Sequence, residues 1–347
     1  MNTKAIATGA LTALITPFDE KTKKINWAGV YKLIEFQVSQ GISGIVPVGT
    51  TGESPTLSER EHMDLISNAI LSSKGLYVLS GCGSNSTREA MKYVDCVAGN
   101  KGDAVLLVDP YYIGPSSLEI REEYYAPIAK AFPNISIVPY IIPGRTGCQL
   151  QPEDLAVLAS RFPNICAVKE ATANFDNMRR TRTLAPLGFQ IFSGDDGRTL
   201  PMMTDPAINA CGVISVISNI APAAVQEMCQ ALAKKDQIAA ERIRIKLQPF
   251  FDIVTVSAIR QSVAGCVDDK FRNPLPIKTA MNILGMPAGP CRQPLGKMSV
   301  DGGKIVHKAL ETVWTKNPEI LFPIQEHFGS DIEWRLLNNS LWRSFCY

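Results

Sequence analysis

Histidine is scarce in this chain, with three in 347 residues, and none of its nine cysteines forms a CxxC pair. Without CxxC, HxH or HExxH spacing no cradle for zinc or iron is visible, and no metal cofactor is expected. The cysteines are scattered, several in apolar strand-like settings such as Ile165-Cys166-Ala167-Val168. They read as reduced, buried thiols of a cytosolic protein. An excess of one charge is also lacking: 35 Lys+Arg against 33 Asp+Glu leaves +2, with no run of like sign. Nucleic acid and anionic membrane surfaces are thereby poor candidates for partners, and a small molecule is favoured. No GxGxxG or GxxxxGK[ST] occurs, which removes the usual phosphate turns of a doubly wound sheet. The first twenty residues lack the apolar core of a secretory signal, and the longest uncharged stretch, 206–226, holds two Asn, two Ser and two Pro. Neither secretion nor a membrane span is expected.

With 46% hydrophobic and 20% charged residues, the composition is that of a soluble globular protein. Short apolar, β-branched runs at 11–16, 44–48, 77–81, 104–108, 135–140, 165–169, 190–193 and 212–217 alternate with amphipathic stretches such as 27–40, 58–71 and 87–98. Eight strand-then-helix units over residues 1–235 predict a (β/α)8 TIM barrel of the α/β class, because near-continuous apolar strands suit a parallel sheet covered by helices. Beyond it the strand signals stop, and helical patterns predict a C-terminal helical extension over 236–315 packed on the barrel. Residues 316–347, with Trp334, Trp342 and Phe345 among polar neighbours, form a tail that docks on the body or meets another subunit.

Active sites of such barrels lie at the C-terminal ends of the strands, so reactive side chains there carry the functional reading. Gly49-Thr50-Thr51-Gly52 after the second strand is either a plain capped turn or a place where backbone N–H groups hold a small carboxylate. Asp109-Pro110-Tyr111-Tyr112 follows the fourth strand, and Tyr140 ends the fifth, before Arg145 in a Gly-flanked loop. Tyrosines there cap a barrel mouth or move protons, and the arginine is a surface charge or an anion grip. Lys169 follows apolar strand residues. It either reaches solvent or points into the mouth, where desolvation would leave a free amine able to form a Schiff base.

At these positions the sequence resembles the dihydrodipicolinate synthase and N-acetylneuraminate lyase family of pyruvate-dependent class I aldolases. GTTGES (49–54), DPYY (109–112), YIIPGRTG (140–147), VKEAT (168–172), SGDD (193–196) and GVISV (212–216) stand in family order, and the likeness runs from about residue 10 to about 310. Arg145-Thr146-Gly147 resembles the synthase branch. The resemblance implies a Schiff base between Lys169 and pyruvate, with Tyr140 as proton donor and acceptor. It also implies a hydroxyl relay of Thr50 and Tyr112 with Tyr140, Thr51 and Ile214 as pyruvate contacts, and Arg145 on the carboxylate of aspartate semialdehyde. No cofactor beyond that covalent intermediate is implied. Because the family tyrosine at Tyr112 or its neighbour reaches across a tight dimer, a homotetramer built as a dimer of dimers is expected. Ser54, His62, Asn85, Glu89 and Tyr111 match an inhibitory lysine site of some members, although Glu59 stands where some carry histidine. For Asn85 and Glu89 simple helix capping is the competing reading. Ile141, Gly144 and Asp109 depart from the residues common in the family, and the tail is longer than usual.

Three functions compete on this evidence. The first is condensation of pyruvate with aspartate semialdehyde in lysine and diaminopimelate biosynthesis. The second is the same lysine chemistry on another aldehyde, as in N-acetylneuraminate lyase or a 2-keto-3-deoxy-sugar acid aldolase, but a sugar would want hydroxyl-binding side chains where Arg145 stands. The third is a non-catalytic barrel that binds a keto acid, against which the joint presence of Lys169, Tyr140, Thr50 and Tyr112 argues.

Overall fold

A computed structural model describes residues 5–102 and 104–347. Its eight parallel strands are β1 (Gly9–Ala13), β2 (Gly44–Val46), β3 (Tyr77–Gly81), β4 (Ala104–Val108), β5 (Ser136–Ile141), β6 (Ala167–Glu170), β7 (Gln190–Ser193) and β8 (Gly212–Ser215). Each pairs with the next and β8 pairs with β1, closing the TIM barrel the sequence predicts. Side chains alternate across each strand, as a period of two requires. Along β4, Ala104, Leu106 and Val108 face the barrel interior while Val105 and Leu107 meet the helical layer. The interior is filled by side chains including Leu11, Val46, Leu79, Val138, Phe192 and Ile214, so the barrel is a packed core and not a pore.

Two of the helices show how the sequence supplies an acceptor at their start. Ser58 accepts from the Glu61 N–H while the Glu61 carboxylate returns to the Ser58 backbone, a full capping box for Glu59–Ser72. Ser86 accepts from the Glu89 N–H at the start of Thr87–Gly99. No helix among the described residues is long and apolar enough to cross a membrane.

After the barrel the helices Pro222–Ala233 and Gln237–Phe251 lead into a feature the sequence reading missed. An antiparallel hairpin, β9 (Thr255–Ser262) and β10 (Gly265–Arg272), interrupts the expected all-helical extension. Most of its residues are exposed, so no apolar alternation announces it; only Val256 and Ala258 are buried. Helices Leu275–Ile283 and Val300–Lys316 complete the extension.

The tail docks on the body of its own chain. Ile332, Leu336 and Trp342 are buried, and Phe328 packs on Phe36 with ring centroids 5.1 Å apart. Arg335 donates to the carbonyls of Ile283 and Asn282 at 2.7 and 2.8 Å, and Ser330 to that of Leu284 at 2.6 Å. These are the carbonyls that a helix end leaves without intrahelical partners, so the tail caps Leu275–Ile283 from outside. Of the nine cysteines, all free, Cys266 on β10 is exposed, contrary to the uniformly buried expectation.

Candidate active site

Strand parity decides where the reactive side chains point. Ala167 lies inside the barrel, so Lys169, two residues on, points inward as well; Val138 and Tyr140 stand in the same relation on β5. The register pairs Tyr140 directly with Lys169, and the Lys169 Nζ sits 4.1 Å from the centroid of the Tyr140 ring. Both are buried at the floor of a cleft at the C-terminal end of the barrel, over Ala13, Val46 and Leu106. The surroundings cannot solvate an ammonium. Burial lowers the Lys169 pKa to about 7, Arg145 adding to the depression and Asp196 opposing it. Burial also raises the Tyr140 phenol to about 12, an effect moderated by Arg145 and by a hydrogen bond with Thr50.

Thr50 and Thr51 reach the cleft on the loop after β2, which leaves through Val48 at a φ of 58°. A left-handed β-branched residue is strained by about 1–3 kcal/mol, so its surroundings must hold it. They do so from far along the chain. Glu53, also left-handed at φ 58°, accepts from the Lys278 ammonium at 2.7 Å and from the Arg292 N–H at 2.8 Å, both groups of the Glu53–Lys278 pair being fully buried. Lys278 spends its other protons on the carbonyls of Thr16 and Pro290. Asn273 donates to Thr51 Oγ1 at 2.9 Å, and its own carbonyl accepts from Arg145 at 3.0 Å. Segment 273–278 therefore clamps both the threonine loop and Arg145. The sequence reading did not single out Glu53, Asn273 or Lys278.

Asp195 and Asp196 line the same cleft. Asp196 is buried and accepts from the Ser215 hydroxyl and from the N–H groups of Val216 and Ile217 at 2.9 and 3.3 Å; burial lifts its pKa to about 6. Gly194 gives the Lys169 stem its passage, because a Cβ there would fall 2.8 Å from the Ala171 Cβ and 3.2 Å from the Lys169 Cε. Ile214 is buried in the barrel interior beneath the cleft.

The chain belongs to the dihydrodipicolinate synthetase family. The profile of that family matches residues 6–313. The 4-hydroxy-tetrahydrodipicolinate synthase of Methanococcus maripaludis is 37% identical over 307 residues, which is 88% of this chain and 98% of that protein. The crystal structure of the Cyanidioschyzon merolae synthase with lysine bound superposes with a TM-score of 0.80 at 31% identity, over 89% of this chain and 99% of that one. A monomeric dihydrodipicolinate synthase variant matches with a TM-score of 0.76 at 30% identity, over 93% of this chain and 97% of its own.

Two predicted groupings are met only in part. Tyr112 does not join Thr50 and Tyr140 within this chain: its backbone is left-handed at φ 81° and the residue is 90% exposed. Ser54, His62, Glu89 and Tyr111 do share one small cavity, together with Ser84 and Tyr93, whereas Asn85 is exposed and lies outside its lining. In that cavity Glu89 accepts from the hydroxyls of Ser84 and Tyr93, and Ser86, not Asn85 or the Glu89 carboxylate, caps the helix. His62 stacks on Tyr93 at 3.7 Å, and burial lowers its pKa to about 4. Glu59 pairs with Lys92 at 2.9 Å. Among the described residues no group of three or more His, Cys, Asp or Glu is arranged to hold a metal ion.

Proposed function

We propose that the protein is a 4-hydroxy-tetrahydrodipicolinate synthase of lysine and diaminopimelate biosynthesis, condensing pyruvate with aspartate semialdehyde. The observation that carries this reading is the desolvated Lys169 amine beside the Tyr140 phenol, with Arg145 over the same cleft. With a pKa near 7, about half of Lys169 is a neutral nucleophile at neutral pH. Its Nζ adds to C2 of pyruvate, and the keto oxygen leaves as water once protonated through Tyr140. The protonated imine withdraws electrons, so a C3 proton is lost and an enamine forms. Its C3 attacks the aldehyde carbon, whose oxygen takes a proton and becomes the 4-hydroxyl. The amino group of the added half then attacks C2, the C2–Nζ bond breaks, Lys169 returns as an amine and the ring closes. No external cofactor takes part.

Thr50 and Thr51 are assigned to the pyruvate carboxylate and the Tyr140 proton path, Ile214 to a contact with pyruvate, and Arg145 to the carboxylate of the aldehyde substrate. Tyr112, exposed and held in a strained backbone, is assigned to the relay of a neighbouring copy in a homotetramer built as a dimer of dimers. The cavity of Ser54, His62, Glu89 and Tyr111, whose lining does not include Asn85, is assigned to free lysine as an inhibitor. Its lining suits an amino acid, with the Glu89 carboxylate for an ammonium and the Ser54 and Tyr111 hydroxyls for a carboxylate. We assign the protein to the cytoplasm and read 1–235, 236–315 and 316–347 as barrel, extension and tail.

The test is turnover. Purified protein given pyruvate and aspartate semialdehyde should consume them one for one and yield 4-hydroxy-tetrahydrodipicolinate by mass spectrometry. Cleavage of N-acetylneuraminate with no condensation of aspartate semialdehyde would overturn the assignment.

A further inference from the structure

The base of the β9–β10 hairpin lines the cleft, and the two faces of the hairpin carry different chemistry. Its register sets Thr255 opposite Arg272, Val256 opposite Phe271, and Ser257 opposite Lys270. Alternation therefore puts Thr255, Ser257, Asp268, Lys270 and Arg272 on one face and Val256, Ala258, Asp269 and Phe271 on the other. The second face is the anchor. Val256 and Ala258 are buried, and Phe271 lies so close to helix Val300–Lys316 that a Cβ on Gly302 would fall 2.9 Å from its ring. The first face lines the cleft, with Thr255, Lys270 and Arg272 all in its wall beside Arg145.

Charge is distributed just as unevenly. On the anchoring face Asp269 is neutralised by Arg260 at 2.6 Å. On the cleft face neither Lys270 nor Arg272 has an ion-pair partner among the described residues, and Arg145 has none either. Arg272 donates to the Gly144 carbonyl at 3.1 Å, which ties the strand to the Arg145 loop; burial lowers the Arg145 pKa, and Arg272 adds to that depression. Asp268 shares this face but lies outside the cleft lining, and the acids that do line the cleft are already engaged. Asp196 is occupied by three donors from the chain, and Asp195 lies 3.5 Å from Arg198. Three cations that line one cleft mouth without an ion-pair partner cost repulsion, which a bound anion would relieve.

We propose that the hairpin is a specificity element in which Lys270 and Arg272 extend the Arg145 site into an anion-binding rim. The rim takes the carboxylate of the aldehyde substrate and holds carboxylates that face the cleft mouth as the ring closes. It selects acidic aldehydes over neutral ones and leaves pyruvate, bound at the floor, to Lys169 and the threonines. This inference rests on the aldolase reading above.

The test uses the full-length protein with Arg272→Gln, Lys270→Gln and the double variant, and Arg260→Gln as the same loss of charge on the opposite face. Loss of one charged contact to a carboxylate predicts a rise of about tenfold in KM for aspartate semialdehyde in each single variant, and more in the double. KM for pyruvate should stay within about twofold, Arg260→Gln should match the wild type, and the salt dependence of the aldehyde KM should flatten in the double variant. Pyridine-2,6-dicarboxylate, a planar dicarboxylate probe of the product's shape, should bind the double variant more weakly by calorimetry, a readout independent of turnover. A wild type that traps pyruvate and turns over, with variants whose aldehyde KM and probe binding are unchanged, would overturn the rim while leaving the synthase reading intact. A wild type that never forms a pyruvate adduct would overturn both.

Discussion

Trapping of pyruvate on Lys169 should follow the neutral fraction of that lysine, and the walls of the cleft set this fraction. An ordinary lysine titrates near 10.5, so about one molecule in 3,000 carries a free amine at pH 7. Burial brings Lys169 to about 7, which makes the amine about a thousandfold more available at the same pH. The initial rate of borohydride-trapped adduct at saturating pyruvate should therefore rise about tenfold from pH 5 to 6, bend near pH 7 and level off above pH 8. Neighbouring charges fix the direction of two further shifts. Asp196 raises the Lys169 pKa, so Asp196→Asn should move the bend to lower pH; Arg145 lowers it, so Arg145→Gln should move the bend to higher pH. Intact-mass spectra over a pH series measure all three. A rate that keeps climbing tenfold per pH unit to pH 9 would refute the claim that the cleft desolvates the amine.

Lysine over a range from zero to millimolar should lower the rate of condensation, and a flat curve would remove the assignment of the cavity around Glu89. Lys278→Met strands the fully buried Glu53 carboxylate without its cation and should destabilise the fold by about 3–5 kcal/mol in urea titrations. Adding Glu53→Gln to Lys278→Met should recover much of that loss, since the cost lies in the unpaired charge; a double variant no more stable than the single would contradict this.

The barrel and the heart of the cleft were legible in the sequence because both rest on local patterns. Eight apolar runs at regular spacing announce eight strands, and strand-end position marks Thr50, Tyr140, Arg145 and Lys169. Whether Lys169 points inward follows from its parity with Ala167, a relation that needs the strand placed to the residue. The clamps were not legible. Asn273 meets Thr51 across 222 residues and Lys278 meets Glu53 across 225, and no local pattern encodes such contacts. The hairpin escaped for another reason: strands exposed over most of both faces lose the alternation by which strands are recognised. Tyr112, which the resemblance places in a hydroxyl relay, is exposed with a left-handed backbone and does not line the cleft of its own chain.

Digestion of the protein after treatment with pyruvate and borohydride shows whether Lys169 is the nucleophile. The reduced pyruvyl group should appear on the peptide carrying Lys169 and be absent from a folded Lys169→Ala variant. An adduct on another lysine, or none on correctly folded wild-type protein, would contradict the account.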